Sequence, residues 1–172
     1  MLDQKWGFIN KDGEVVIAIK YDDVEHFSDG LAPVKVGEEW GYINTKGEIV
    51  IEPRFEDAFS FNEGCAMVYG FDDDDDWGYH YINTKGEVAI PCTYREVGDF
   101  NGGLARVKQN GKYGTINRKG EVVVPCIYSW ITDFSEGLTK IEKGKSWSII
   151  NQEGKVIVAD CDRSTQWSKV EE

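Results

Sequence analysis

Apolar and polar residues alternate over short stretches of this chain, and the stretches return in a fixed order. The segment 6–17 reads WGFINKDGEVVI, and it comes back as WGYINTKGEIVI from Trp40, WGYHYINTKGEVAI from Trp77 and YGTINRKGEVVV from Tyr113. A worn copy, WSIINQEGKVIV, begins at Trp147. Runs such as EVVI, EIVI, EVAI and EVVV, rich in β-branched residues and bounded by glycine, predict strands. Repetition at a fixed period sets the architecture before any single residue is weighed. The anchors Trp6, Trp40, Trp77, Tyr113 and Trp147 are 34, 37, 36 and 34 residues apart. The long intervals have visible causes: three residues enter with a run of aspartates before Trp77, and two more enter at 79–81, ahead of Ile82. A period of 34 would also suit paired helices, but these need apolar residues at i, i+3, i+4 and i+7 with few internal glycines. Glycine punctuates this chain every ten or so residues, and the helical reading fails.

Each unit divides into four segments. The first, WGFIN-like, ends in a turn of the form Asn-x-x-Gly, beginning at Asn10, Asn44, Asn83, Asn117 and Asn151. Asparagine at the first position of a turn caps backbone amides, and glycine three residues later closes a type I turn with a bulge. The second segment is EVVI-like and ends in a kink that uses Pro53, Pro91 or Pro125 in three copies. The third opens on Tyr21, Phe55, Tyr94 or Tyr128 and closes on Phe27, Phe61, Phe100 or Phe134. A second turn follows, whose glycines 30, 64, 103 and 137 suit positive φ. The fourth segment is LAPVKV-like, with Leu31, Pro33 and Lys35 predicted on one face and Ala32, Val34 and Val36 on the other.

The fold expected is all-β: tandem antiparallel strand repeats of about 34 residues, each too small to stand alone and stacked on its neighbours in an open or curved array. A closed four- or five-bladed propeller-like ring is the alternative, since such a unit can just hold four short strands. The expected organisation is one repeat domain over 1–162. It holds four full repeats from Trp6, Trp40, Trp77 and Tyr113 and a half-repeat from Trp147, so the chain begins with a whole unit and ends with an extra hairpin. Residues 163–172 read as a cap or frayed tail.

The tryptophan-glycine start, the Ile-Asn pair, the x-x-Gly-Glu turn and the phenylalanine-acid-Gly-Leu-Ala segment resemble the WG-repeat (KWG-repeat) family of mostly bacterial proteins. The resemblance runs from Lys5 to Val158. Its departures are local: Tyr113 stands for Trp, Ser148 for Gly, Lys155 for Glu and Thr139 for Ala. The resemblance implies an all-β module associated with binding or scaffolding, and carries no shared catalytic residues.

Charge narrows the partners. A net charge of −12 repels nucleic-acid phosphate and anionic membrane surfaces. It favours a protein partner with a basic surface. The stretch 48–76 holds ten acids against Arg54 alone, whereas 106–119 holds five bases and no acid. No basic and apolar leader opens the sequence, and the four cysteines have no CxxC spacing, so a reducing, cytoplasmic setting is expected. Cys92 and Cys126 share one repeat position, read as a small buried core site. No metal or cofactor is expected.

Candidate chemistry is sparse. Glu14, Glu48, Glu87 and Glu121 recur just after the turn glycine and read as structural, accepting a hydrogen bond from the turn or pairing with a lysine. The recurring tryptophans read as core filling between repeats, with a sugar- or peptide-binding stripe as the alternative. Function is expected where the repeat is broken: at Phe71, at Asp72, Asp73, Asp74, Asp75 and Asp76, and at Tyr79, His80 and Tyr81, the last three placed in a loop insertion. The adjacent carboxylates lack the alternating spacing of a calcium loop and suit a basic partner. The leading reading is a non-enzymatic protein-interaction module, such as an inhibitor or immunity-type binder of a basic protein. A glycan or cell-wall ligand is the alternative. An enzyme is the third class, for which no nucleophile elbow or phosphate loop is present.

Overall fold

A computed structural model describes residues 4–72, 76–91 and 94–162. All strands and no helix are found among them. A two-stranded sheet, β1 (Trp6–Ile9) with β2 (Val15–Tyr21), comes first. Four antiparallel meanders of four strands follow, and none closes into a barrel. They are β3 (Asp23–Val24), β4 (Leu31–Val36), β5 (Glu39–Asn44) and β6 (Ile49–Phe55); β7 (Asp57–Ala58), β8 (Cys65–Phe71), β9 (Trp77–Asn83) and β10 (Val88–Ile90); β11 (Glu96–Asn101), β12 (Leu104–Gln109), β13 (Lys112–Asn117) and β14 (Val122–Tyr128); and β15 (Trp130–Ile131), β16 (Leu138–Lys143), β17 (Ser146–Asn151) and β18 (Val156–Asp162). The tandem all-β repeat is therefore present.

The sheets are offset from the sequence repeats by half a unit. Each four-stranded sheet takes its first two strands from the end of one repeat and its last two from the start of the next. The half-repeat from Trp147 thus completes the last sheet through β17 and β18, and the unmatched half is the first hairpin. The third segment of the repeat, expected as a full strand, forms a strand of six residues in β11 but only two residues of ladder in β3, β7 and β15. Its main contribution is a phenylalanine, buried at Phe61, Phe100 and Phe134.

The chain divides into two compact units, Met1–Asp99 and Phe100–Glu172. In the first, Ile17 and Tyr21 of β2 pack against Ala32, Val34 and Ile43. The opposite face of that second sheet, through Trp40, Tyr42, Ile51 and Phe55, packs against Ala66, Val68 and Ile82. The two faces predicted for β4 therefore both become core, one on each side. In the second unit Val124 packs with Ile131, Ile141 and Ile150. Each fully buried branched or aromatic side chain contributes roughly 1.5–3 kcal/mol. The tryptophans are less uniform than core filling requires: Trp40 is buried, while Trp6 and Trp77 are exposed. Cys126 is only partly buried; it stands at the kink beside Gly114, and burial pushes its thiol pKa up. Cys92 lies outside the described residues.

Both turn types follow from their residues. In the first, Gly47 N–H donates to Asn44 O at 2.9 Å, and Asn44 Oδ1 accepts from the N–H groups of Lys46 and Glu48 at 2.9 and 3.1 Å. Asn44 Nδ2 then donates to Glu48 Oε2 at 2.7 Å. The same bond joins Asn10 to Glu14, Asn83 to Glu87 and Asn117 to Glu121. The recurring glutamate is thus an acceptor for the turn. In the last copy Lys155 stands in its place, and Glu153 takes the amide at 3.4 Å. The second turn is tighter than a single positive-φ glycine would make it. Asp29 and Gly30 have φ of 50° and 80°, the two left-handed residues of a type I′ hairpin, closed by paired bonds between Ser28 and Leu31.

Candidate functional site

Among the described residues, the β8–β9 hairpin is longer than its counterpart in the regular repeat. Its ladder runs from Cys65↔Asn83 through Met67↔Tyr81, Val68↔His80 and Tyr69↔Tyr79 to Phe71↔Trp77. In the regular hairpin β4–β5, Pro33 faces Tyr42, Val34 faces Gly41 and Lys35 faces Trp40. Tyr81 therefore stands where Tyr42 does, His80 where Gly41 does and Tyr79 where Trp40 does. The short loop Gly37-Glu38 of β4–β5 is replaced by the stretch 71–77, which accounts for the whole insertion of five residues. Trp77 and Gly78, which mimic the repeat start in sequence, are not its structural equivalent.

This register corrects the loop placement of 79–81: all three residues are inside β9. Tyr81 is buried, and its hydroxyl donates to Gly98 O at 2.5 Å, as Tyr42 donates to Phe59 O at 2.8 Å. Burial raises both phenol pKa values far above their ordinary range, with the charges of Asp99 and Asp57 respectively adding to the effect. His80 is buried too, its ring 6.0 Å from that of Phe55 and its Nδ1 3.3 Å from Gly78 O. It fills the position at which glycine elsewhere lets the next strand approach closely, and β10 here has three residues where β6 and β14 have seven. Tyr81 and His80 thus belong to the scaffold.

The other candidates gather on one face. Alternation along β8 and β9 puts Tyr69, Phe71, Trp77 and Tyr79 together, opposite the face that carries Val68 and His80. Phe71 and Trp77 rings lie 4.5 Å apart, Tyr69 and Trp77 5.4 Å, and Tyr69 and Tyr79 4.8 Å. Trp77 Nε1 donates to Tyr69 Oη at 3.0 Å. Phe71 is 61% and Trp77 44% exposed, so the cluster meets solvent at the end of the hairpin. Asp57 of β7 stands directly across from Tyr69. Tyr69 and Trp77 were not among the sequence candidates, because Trp77 reads as a repeat anchor and Tyr69 as an ordinary strand residue. The signal that finds them is the match of YHYIN, from Tyr79, to WGYIN, from Trp40.

The aspartate run divides in two. Asp72 is buried and structural: its N–H donates to Asp76 O at 3.0 Å, and its Oδ1 accepts from Asp76 N–H at 3.0 Å. Asp73, Asp74 and Asp75 lie outside the described residues. Among the described residues no cluster of three or more His, Cys, Asp or Glu is placed to hold a metal ion. Within the basic stretch 106–119, Arg106 is engaged locally. Arg106 donates to Ile131 O at 2.9 Å, pairs with Asp133 at 3.4 Å and covers the rings of Tyr113 and Trp130 at 5.7 and 5.2 Å.

A family model described as WG containing repeat matches this chain at residues 6–40, 40–69, 81–113 and 113–147. The match breaks off at Tyr69 and resumes at Tyr81, the two sides of the extended hairpin. No curated protein matches the chain. Among solved structures, a protein of unknown function from Bacteroides caccae is similar over 94% of this chain and 70% of its own, at 16% identity and a TM-score of 0.33. That likeness is too loose for anything to be carried over from it.

Proposed function

The chain belongs to the WG-repeat family, and on that premise we propose that it is a non-enzymatic interaction module that holds a basic protein partner through the β8–β9 hairpin. One observation carries the reading. The hairpin that breaks the repeat ends in an exposed Phe71–Trp77 pair, and its connection is the aspartate run. Exposed aromatic rings supply contact area and favourable faces for cations, while the carboxylates draw a basic surface in and orient it. Lysine- or arginine-rich segments with interspersed apolar residues match both features. The inhibitor or immunity-type role is the finer form of this proposal, in which the partner's basic surface is masked. A glycan platform is a poorer fit, because the rings of Phe71, Tyr69 and Trp77 meet edge to face rather than forming a flat shelf.

The test is a binding titration against a panel of peptides that vary in lysine, arginine and aromatic content, at several salt concentrations. Binding of the basic members should weaken as salt rises. It should fall at least tenfold in Phe71→Ser/Trp77→Ser, and less in Asp73→Ser/Asp74→Ser/Asp75→Ser. Asp72 is left intact because it closes the hairpin. Binding that ignores salt and survives both variants would remove the hairpin from consideration.

A further inference from the structure

Strands β3, β4 and β5 carry a row in which an acid, a cation and an aromatic ring stand side by side: Asp23 faces Lys35, and Lys35 faces Trp40. The lysine ammonium lies over the tryptophan ring at 6.0 Å. Other copies of the repeat-start aromatic are covered in the same way, Tyr113 by Lys108 at 4.8 Å and Trp147 by Lys140 at 5.5 Å. In β7, β8 and β9 the acid and the ring are present, but a second ring stands where the lysine would be. Asp57 faces Tyr69, and Tyr69 faces Tyr79. Asp57 is held as Asp23 is: its Oδ1 accepts from the N–H of the next residue at 3.0 Å, against 2.9 Å for Asp23. Among the described residues no lysine or arginine lies over Tyr69, Phe71, Trp77 or Tyr79, and none pairs with Asp57. The row thus has its acid and its rings but lacks the cation that the chain supplies elsewhere.

The second unit shows which cation suits two rings that meet at this angle. Tyr113 and Trp130 lie 5.2 Å apart at 74°, and the guanidinium carbon of Arg106 stands 5.7 and 5.2 Å from their centroids. Arg106 still reaches the Asp133 carboxylate at 3.4 Å. Tyr69 and Trp77 repeat that geometry at 5.4 Å and 76°, with the bond from Trp77 Nε1 to Tyr69 Oη fixing the angle. We propose that the Tyr69–Trp77 pair, with Asp57 across from Tyr69, is the seat of an arginine side chain of the partner. This rests on the reading of β8–β9 as the binding hairpin, and it names the residue that the hairpin selects. Ring faces attract either kind of cation, so the choice comes from shape and hydration. A planar guanidinium stacks on a ring and still directs N–H donors at a carboxylate, and it holds its water less tightly than an ammonium.

Two basic peptides test this, identical except that every charged position is arginine in one and lysine in the other, with leucines between. Titrated against the full chain, the arginine peptide is expected to bind about fivefold tighter, within the range of one or two cation–π contacts. The peptides carry equal charge, so salt should weaken both and leave their ratio unchanged. Asp57→Asn keeps an oxygen for the Ala58 N–H but removes the charge, and should bring the ratio close to one. Tyr69→Lys rebuilds the row found in β3–β5, so it should fold while filling the seat with the chain's own cation, and it too should lose the preference. Thermal melts check both variants, and Trp77→Leu replaces Tyr69→Lys if the latter does not fold. In the wild type, the Trp77 indole N–H resonance should shift with N-acetylarginine amide and less with N-acetyllysine amide. Equal, salt-sensitive binding of the two peptides overturns the arginine seat and leaves the basic-partner reading standing. Failure of both peptides to bind removes both readings. An arginine preference that survives Asp57→Asn and the ring variant overturns the assignment to these residues.

Discussion

Gly41 lies directly beneath the carbonyl of Ile51. A Cβ at Gly41 would come within 2.6 Å of Ile51 O and 2.6 Å of Pro53 N. The cause is a bulge: Trp40 faces Phe55 and Tyr42 faces Ile51, so Gly41 alone opposes three residues. Gly7 and Gly114 make the same approach to Ile17 O and Val124 O, at 2.6 and 2.5 Å. This is the physical reason for the glycine of the tryptophan-glycine pair. In the last copy Trp147 faces Cys161 and Ile149 faces Val158, so Ser148 opposes one residue fewer. Gly41→Ala is therefore expected to cost about 1–3 kcal/mol, the range for overpacked sites, measured by chemical denaturation.

Asn44 and Glu48 act as a pair. Removing the asparagine side chain in Asn44→Ala leaves the Lys46 and Glu48 amides without their acceptor and Glu48 Oε2 without its donor. A net loss of roughly 1–2 kcal/mol follows for an exposed turn of this kind. Glu48→Gln keeps an acceptor oxygen for Asn44 Nδ2 and should be close to neutral. Asn44→Asp retains the two amide bonds but sets a carboxylate against Glu48, so its cost should shrink as the pH is lowered toward 4. Urea midpoints of the three variants at pH 7 and near pH 4 separate these outcomes.

Much of the fold is legible because the repeat states its own grammar. The Asn-x-x-Gly-Glu turn, the strand runs and the all-β class follow from residues whose roles are local. The half-unit offset of sheets from repeats is not local: Trp40 and Leu31 belong to one sheet although they sit in different repeats, and only pairing shows it. The site shows the same division. Phe71 and the aspartates are visible as breaks in the pattern. The misplacement of 79–81 arose because Trp77-Gly78 copies the repeat start in letters while Tyr79-His80 occupies it in register.

Tyr42 and Tyr81 set the alkaline limit of stability. Both phenols are buried and hold their protons well above the ordinary value, whereas in the unfolded chain they ionise near pH ~10. The folded state therefore binds more protons than the unfolded state above that point, and stability falls as pH rises. The contribution is complete below about pH 10 and is lost progressively above it. Tyr42→Phe forfeits the bond to Phe59 O and lowers stability at neutral pH, yet it should flatten the alkaline decline. Denaturation midpoints between pH 8 and pH 11.5 for wild type, Tyr42→Phe and Tyr81→Phe give the comparison; equal slopes in all three would refute the assignment.

Gly70 and Gly78 face each other one rung below Phe71 and Trp77, both with φ of 156°. Residues with a Cβ rarely adopt that conformation. Space is not the obstacle at Gly70, where a Cβ would find its nearest atom at 3.8 Å. The cost of Gly70→Ala is therefore conformational, about 1–3 kcal/mol for a residue held in a sparsely populated region. It should fall on the end of the hairpin rather than on the core. Hydrogen exchange at the amides of Phe71 and Trp77 is expected to accelerate in Gly70→Ala and in Gly78→Ala, while exchange along β4 and β5 stays as in wild type. Peptide affinity at the Phe71–Trp77 face should drop in parallel with that local opening. Uniform acceleration across all sheets would instead mean that the glycine pair supports the whole unit, and that the hairpin end has no separate stability.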